Sequence, residues 1–263
     1  MLQAADVSFA YGPGLAGLHG VSIDVPRGGL VGILGPNGSG KTTLLRLLGG
    51  MLTPASGRIR IDGRDLARMP RRELAKRLAV VPQETRLSFE YSVLEVVLMG
   101  RYPHLGAFEL ESQEDVAIAR EALAATGTLA LEGRLFPTLS GGEKQRVVIA
   151  SALAQSAGLM LLDEPTAALD PGYQIEIAAL LRRLSAERGV TMAVATHDLN
   201  LAAGLCRHLV LLRQGRVLAS GPTDQVLTRE SVRMLYDVEA DVHFHAGAGH
   251  LTVVPLRRTS GPE

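Results

Sequence analysis

Two glycine-rich segments have residue types and spacings that suit the binding of phosphate. Residues 35–42, GPNGSGKT, match the pattern of a phosphate-binding loop, in which glycines let backbone N–H groups approach phosphate oxygens. In that pattern Lys41 reaches the β- and γ-phosphates of a nucleotide, and the Thr42 hydroxyl binds Mg²⁺. Residues 139–145, LSGGEKQ, place a serine and two glycines before a helical stretch and offer a second set of backbone N–H groups.

A second phosphate-binding segment is more than one domain usually needs for one nucleotide. We therefore expect residues 139–145 to serve a nucleotide that is bound to another copy of the chain. This predicts a dimer with ATP at its interface. It indicates a motor, in which ATP drives movement of the subunits, rather than a metabolic enzyme.

An acidic pair follows a buried strand, where ligands bind in open α/β sheets. Residues 159–162 are entirely apolar and are followed by Asp163 and Glu164. Asp163 suits Mg²⁺, directly or through water, and Glu164 is the candidate to orient and deprotonate an attacking water.

Three further residues stand at or beyond the ends of predicted strands. His197 could reach a γ-phosphate, Gln83 could contact Mg²⁺ or the attacking water, and Tyr11 could stack on adenine. Each of the three, taken alone, would more often be an ordinary structural residue, so they gain weight only together.

The elements that must position these residues alternate between strand and helix patterns, which predicts a mainly parallel α/β sheet. A strand over residues 30–34 leads into the first glycine loop, and a helix is expected from Lys41 to about Leu52. Residues 84–155 show helical periods and no convincing strand, which indicates a helical insertion. Residues 241–256 suggest a small hairpin that turns at residues 247–249. Its His243, His245 and His250 could bind a metal together, although exposed histidines on a hairpin need no ligand.

Composition narrows the class of protein. The 263 residues contain 27 Lys and Arg against 27 Asp and Glu, so net charge gives no reason to expect nucleic-acid binding. The lone Cys206 fits a reducing compartment. No apolar stretch approaches the ~20 residues that span a bilayer, and the N-terminus lacks the features of a signal peptide. We expect a cytoplasmic chain whose membrane role, if any, comes through partners.

The order of these motifs resembles the ATP-binding-cassette (ABC) ATPases over residues 1 to about 230, and residues 139–145 are very specific to that family. The resemblance implies a P-loop NTPase fold with a mainly parallel core sheet, an N-terminal antiparallel β subdomain and a helical subdomain inserted at about 84–155. Residues 231–263 would form a small C-terminal tail. Two copies would sandwich two ATP molecules head to tail.

The resemblance also implies roles for individual residues. One copy would bind ATP through Tyr11, Gly35, Pro36, Asn37, Gly38, Ser39, Gly40, Lys41, Thr42 and Thr43. Thr42, Gln83 and Asp163 would hold Mg²⁺, while Glu164, His197 and Gln83 would act in catalysis. The other copy would contribute Ser140, Gly141, Gly142 and Asp170.

Residues 93–104, VLEVVLMGRYPH, resemble the corresponding stretch of importer ATPases for cobalamin, heme and ferric siderophores. By that resemblance the chain would be peripheral on the cytoplasmic face of the inner membrane. It would contact two permease subunits through about residues 83–105, and an external substrate-binding protein would act through the permease.

Other classes remain open at this point. A P-loop kinase or GTPase would need an acceptor pocket or a guanine-reading Asn-Lys-x-Asp motif, and the sequence lacks that motif. A non-transport cassette of DNA repair or translation usually has a coiled coil or two cassettes in one chain. A lipid or efflux cassette with separate permeases is the third alternative.

Overall fold

The computed structural model describes residues 1–12, 17–85 and 89–259. Within these ranges the strands are β1 (Leu2–Ala10), β2 (Gly17–Val25), β3 (Leu30–Leu34), β4 (Ser56–Ile61), β5 (Arg64–Asp65), β6 (Leu78–Val81), β7 (Leu159–Asp163), β8 (Thr191–Thr196), β9 (His208–Arg213), β10 (Arg216–Pro222), β11 (Val238–His245) and β12 (His250–Arg258). The helices are α1 (Lys41–Leu48), α2 (Arg71–Ala75), α3 (Val93–Leu98), α4 (Gln113–Ala125), α5 (Gly141–Ala154), α6 (Pro171–Arg188), α7 (Leu199–Leu205), α8 (Thr223–Val226) and α9 (Arg229–Tyr236).

A six-stranded sheet in the order β10-β9-β3-β8-β7-β6 forms the centre of the molecule. Neighbouring strands are parallel except for the β9–β10 hairpin. Strand β7 is buried along its whole length because both faces of the sheet are covered. Its Leu159 and Leu161 enter one hydrophobic core, while Met160 and Leu162 enter the other.

A second sheet, antiparallel and in the order β2-β1-β4-β5, covers one side of the central sheet together with α1. Apolar residues that alternate along β2, namely Val21, Ile23 and Val25, belong to the same core as Val31 and Ile33 of β3. The fold class predicted from the sequence, an α/β P-loop NTPase with this additional sheet, is confirmed.

Helices α3, α4 and α5 pack against the other core, and the described residues between β6 and β7 contain no strand. Each of these helices begins with a capping box, formed by Ser92, Ser112 and Ser140 with the acidic residue three positions later. A buried ion pair links Arg101 to Asp115 at 2.9 Å, and the Arg101 guanidinium also donates to Ala154 O. The bounds of the helical subdomain, 84–155, and of the whole ATPase domain, 1–230, stay predictions.

Helix α1 is shorter than the sequence pattern predicts: it ends at Leu48 rather than near Leu52. Gly49 caps it, and Gly50 adopts a left-handed conformation (φ +68°) that a helix cannot continue. The N–H of Met51 then donates to Arg46 O and turns the chain away.

Strands β11 and β12 form a hairpin that packs on α7. Strands β11 and β12 pair with His245 opposite His250. The Asn200 side chain of α7 donates to Val253 O at 3.2 Å and accepts from Val253 N at 2.8 Å. In the described part of the chain no group of three or more His, Cys, Asp or Glu side chains could hold a metal ion.

Cys206 follows α7 and is buried against Gly32 of β3, where a Cβ would lie 3.0 Å from its Sγ. Burial raises the pKa of this thiol. Thr223 donates its hydroxyl to Cys206 O and ties α8 to the end of α7. No helix within the described ranges is long and apolar enough to cross a membrane.

Candidate functional site

The first glycine-rich segment forms a loop between β3 and α1, as its pattern predicts. Gly38 (φ +78°) and Gly40 (φ +106°) have left-handed conformations. A Cβ on Gly40 would come within 2.7 Å of the Leu18 side chain, and one on Gly35 within 2.2 Å of Leu212 O. Asn37 and Gly38 are exposed at the tip of the loop, while Ser39 is buried.

Lys41 places its ammonium group under this loop. Its Nζ donates to Gly35 O at 2.9 Å and to Pro36 O at 3.2 Å. The same atom lies 3.3 Å from Glu164 Oε1, and both side chains are more than 90% buried. The loop therefore holds a buried positive charge opposite a buried carboxylate.

Glu164 is the residue at which three elements meet. It follows β7 in a left-handed conformation (φ +48°) that is unusual for a residue with a side chain, and its N–H donates to Ala195 O of β8. Its Oε2 lies 2.8 Å from His197 Nδ1, just beyond β8. The structure thus brings Lys41, Glu164 and His197 together, as their predicted roles require.

Asp163 ends β7 beside Thr42. Its Oδ1 is buried and has no hydrogen-bond partner. Burial raises the pKa of this carboxyl, while a hydrogen bond from the Thr42 hydroxyl acts in the opposite direction. An unpaired buried carboxylate oxygen next to a hydroxyl is a donor set that fits Mg²⁺.

A cavity of about 560 Å³ opens above the loop. It is lined by Tyr11, Gly17, Asn37, Gly38, Gly40, Lys41, Thr42, Thr43, Gln83, Glu164 and His197. The hydroxyls of Tyr11 and Thr43 lie 3.3 Å apart at its rim, and the Tyr11 ring meets Phe9 edge-on. Gln83 is exposed beyond the end of β6.

Two glycines, one in the cavity lining and one bonded to the loop at 35–42, are missing from the residues chosen from the sequence. Gly17 lines it, and a Cβ there would lie 2.0 Å from Phe9 O. Gly215 stands in the tight turn between β9 and β10, where its N–H donates to Ser39 O and its carbonyl accepts from His19 N. The Gln-Gly pair signals a turn, but no local pattern connects that turn to the loop at 35–42.

Ser140, Gly141 and Gly142 are not among the described residues that line the cavity. Ser140 caps α5: its hydroxyl accepts from Glu143 N, and Glu143 Oε2 accepts from Ser140 N at 2.8 Å. Ser140 and Gly141 are exposed. Gly142 is buried, and a Cβ on it would lie 2.2 Å from the Tyr173 ring of α6, so internal packing by itself requires a glycine there.

Asp170 precedes α6 and is exposed. It begins the helix, yet its carboxylate caps no backbone N–H group of that helix. The Asp170 carboxylate therefore does not make the capping bond that is usual at this position.

The loop between a parallel strand and a helix, with an acidic pair at the end of a nearby strand, defines a P-loop nucleotide-binding protein. The sequence model of the family described as "ABC transporter" matches residues 18–167. The chain belongs to this ABC transporter family.

Curated relatives cover most of the chain. It is 41% identical to the cobalamin import ATP-binding protein BtuD of Halobacterium salinarum, over 91% of the chain and 60% of the relative's length. It is 39% identical to the ferric enterobactin transport ATP-binding protein FepC of Escherichia coli, over 91% of the chain and 89% of the relative's length. It is 43% identical to the hemin import ATP-binding protein HmuV of Gloeobacter violaceus, over 99% of the chain and 96% of the relative's length.

Solved structures agree with this assignment. An ABC transporter assigned to the metal-chelate type, in an inward-facing conformation, superposes with a TM-score of 0.87 at 31% identity and covers 98% of both chains. The bacterial ABC transporter cassette MJ0796, solved as a dimer, gives a TM-score of 0.74 at 31% identity, over 85% of this chain and 99% of that one.

Proposed function

We propose that this chain is the ATP-hydrolysing subunit of an ABC importer that takes up a metal chelate: cobalamin, heme or a ferric siderophore. The names of the relatives, which describe import of cobalamin, hemin and ferric enterobactin, support this cargo class. The chain spans 60% of the length of the cobalamin relative and nearly all of the hemin relative.

The observation that carries the proposal is the buried Glu164 carboxylate, with Lys41 on one side and His197 on the other. In the proposed reaction Lys41 binds the β- and γ-phosphates and Glu164 orients and deprotonates the attacking water. His197 holds the Glu164 carboxylate and contacts the γ-phosphate. Gln83, at the rim of the same cavity, contacts the water or the metal, and Tyr11 stacks on the adenine.

Thr42, Asp163 and Gln83 would hold Mg²⁺, and the unpaired Oδ1 of Asp163 supports this assignment. When bound, the ion would neutralise negative charge on the phosphate oxygens. The raised pKa of the Asp163 carboxyl reflects the cost of burying its charge, which a cation nearby offsets.

The nucleotide would lie between two copies of the chain. Ser140 and Gly141 are exposed at the N-terminus of a 14-residue helix, and no backbone bond within α5 uses the first N–H groups of that helix. In the proposed head-to-tail dimer, Ser140, Gly141 and Gly142 of one copy contact ATP held by Lys41 of the other. The exposed Asp170 lies at the same interface.

Two permease subunits would dock on about residues 83–105, of which 86–88 lie outside the described part of the chain. Phe89 and Tyr102 are 70% and 58% exposed there, and the Arg72 guanidinium holds the segment's end by donating to the carbonyls of Pro103, His104 and Leu105. This arrangement would place the chain peripherally on the cytoplasmic face of the inner membrane, with an external substrate-binding protein acting through the permease. Nucleic acid has no part in the proposed function.

Reconstitution with the permease that copurifies tests this proposal. The complex in vesicles should hydrolyse ATP faster when a binding protein loaded with cobalamin, heme or ferric siderophore is present on the outside, and the chelate should accumulate inside. Stimulation by a lipid or by a compound that leaves the vesicle would instead identify an efflux cassette. A chain that copurifies with no membrane protein and hydrolyses ATP alone would contradict a transport role.

A further inference from the structure

The backbone of His197 is held by a residue outside the nucleotide cavity. The Tyr236 hydroxyl, at the end of α9, donates to His197 O at 2.8 Å. Burial, with the nearby carboxylates of Glu164 and Asp198, raises the pKa of Tyr236, so the phenol keeps the proton that it donates. Tyr236 thus contacts the backbone carbonyl of the same residue whose ring contacts Glu164.

The short segment 196–198 is fixed at each of its residues. The Asp198 N–H donates to Thr196 Oγ1 at 3.1 Å, and the Asp198 carboxylate caps α7 through the N–H groups of Asn200 and Leu201. The His197 carbonyl lies beyond the last ladder position of β8, so Tyr236 is its partner in place of a neighbouring strand. Removing that hydroxyl would release a bond that holds the backbone from which the His197 ring projects.

Tyr236 itself is held by contacts to the central sheet and to the hairpin. The next residue, Asp237, accepts two bonds from the Arg213 guanidinium at the end of β9, at 3.1 and 2.6 Å. The Asp237 carbonyl accepts from Thr259 N just beyond β12. The end of α9 therefore has a defined position relative to both the sheet and the hairpin.

We infer that Tyr236 is a positioning residue for His197, so that the C-terminal element of α9, β11 and β12 sets the rate of ATP hydrolysis by holding the His197–Glu164 contact in place. The inference rests on the proposed ATP hydrolysis and adds a residue outside the cavity to it. It also gives the C-terminal tail a function for which its sequence offers no pattern.

The test compares Tyr236→Phe with Thr223→Val in the full chain. Both changes remove a hydroxyl that donates to a backbone carbonyl in the C-terminal half and keep the side chain's shape, but Thr223 bonds to Cys206 O, away from the cavity. Losing the Tyr236 bond should lower kcat about fivefold, which corresponds to the typical net worth of one hydrogen bond. KM for ATP should stay within about twofold of wild type, because no atom of the cavity lining is removed.

A second measurement does not depend on activity. Amide hydrogen exchange across residues 196–198 should be faster in Tyr236→Phe than in wild type and unchanged in Thr223→Val. An unchanged kcat, unchanged exchange in this segment, or an equal fall in kcat for Thr223→Val would each overturn the inference. If the wild-type chain hydrolysed no ATP with any partner, the proposed function would fail, and the exchange comparison would still decide the role of Tyr236.

Discussion

His197 Nδ1 lies 2.8 Å from Glu164 Oε2, on the opposite side of the carboxylate from the Lys41 ammonium, which lies 3.3 Å from Oε1. The carboxylate thus joins the ends of β7 and β8 to Lys41 at the start of α1. Two other segments, at Lys41 and at the end of β8, hold Glu164 in addition to its own strand. We expect the consequences of replacing it with an amide of the same size to be chemical rather than structural.

Glu164→Gln should bind ATP but lower steady-state turnover by about 10²-fold or more, because an amide cannot accept the proton from the attacking water. The amide keeps the size of the side chain, so the variant should accumulate as an ATP-bound dimer. Phosphate release and gel filtration with ATP measure the two effects. Glu132→Gln, in an exposed ion pair with Arg120, is the matched control. Near-normal turnover in Glu164→Gln would contradict the proposal that Glu164 deprotonates the attacking water.

Lys41→Ala should weaken ATP binding by about tenfold or more, because a charged hydrogen bond to phosphate contributes about 1.5–3 kcal/mol. Titration with a fluorescent ATP analogue measures the change. Lys76→Ala removes a lysine from an exposed position after α2 and should leave the affinity unaltered. Wild-type affinity in Lys41→Ala would count against binding at residues 35–42.

The head-to-tail dimer predicts complementation between two inactive variants. Lys41→Ala keeps Ser140 intact, and Ser140→Arg keeps the loop at 35–42 intact. In a mixed dimer one of the two nucleotide sites would then combine the intact loop of one copy with the intact Ser140 of the other. Mixing the variants should therefore restore part of the hydrolysis that each alone lacks. If activity stayed at the average of the two separate variants, the contact between Ser140 and ATP would not be made between copies.

Asp115→Asn should destabilise the fold by about 2–4 kcal/mol, because it leaves the buried Arg101 guanidinium without its counter-charge. The Asp115 carboxylate also accepts from the backbone N–H and hydroxyl of Ser112 at the start of α4. Urea denaturation at neutral pH measures the loss. Glu121→Gln breaks the exposed Arg188–Glu121 pair and should cost less than about 1 kcal/mol. Equal losses in the two variants would show that burial of the Arg101 pair adds nothing.

The same carboxyl predicts how stability depends on pH. Bonds from Ser112 and then Arg101 lower the pKa of Asp115 to about 2, from an ordinary value of 3.8. The folded chain thus binds this proton less readily than the unfolded chain, so the stabilisation is complete above about pH 5 and is lost as pH falls towards 2. The difference in unfolding free energy between wild type and Asp115→Asn should narrow over that interval. A difference in unfolding free energy that did not change with pH would contradict the lowered pKa of Asp115.

Local sequence patterns were sufficient to predict where two short segments lie relative to the strands and the helix. The loop at 35–42 and the pair Asp163–Glu164 each combine a strand, its end and the functional side chains within one short segment. Gly215 contacts Ser39 and Tyr236 contacts His197 across more than 15 residues of sequence, so no periodicity or spacing indicates their contributions. Gly17 approaches Phe9 O across the β1–β2 pair, and no local pattern shows that it lines the cavity. The predicted end of α1 was wrong for a different reason. Apolar residues continue past Leu48, but the left-handed conformation of Gly50 ends the helix.

Cys206 is the only cysteine in the sequence, and its burial beside β3 with a raised pKa leaves almost no thiolate for a reagent to attack in the folded chain. A cysteine introduced at an exposed position away from the nucleotide cavity, such as Glu187→Cys on α6, would be the only thiol that reacts readily. A dye or a cross-linker could therefore be attached there without first replacing the native cysteine. Energy transfer between two labelled copies would then report the approach of one subunit to the other as ATP binds and is hydrolysed.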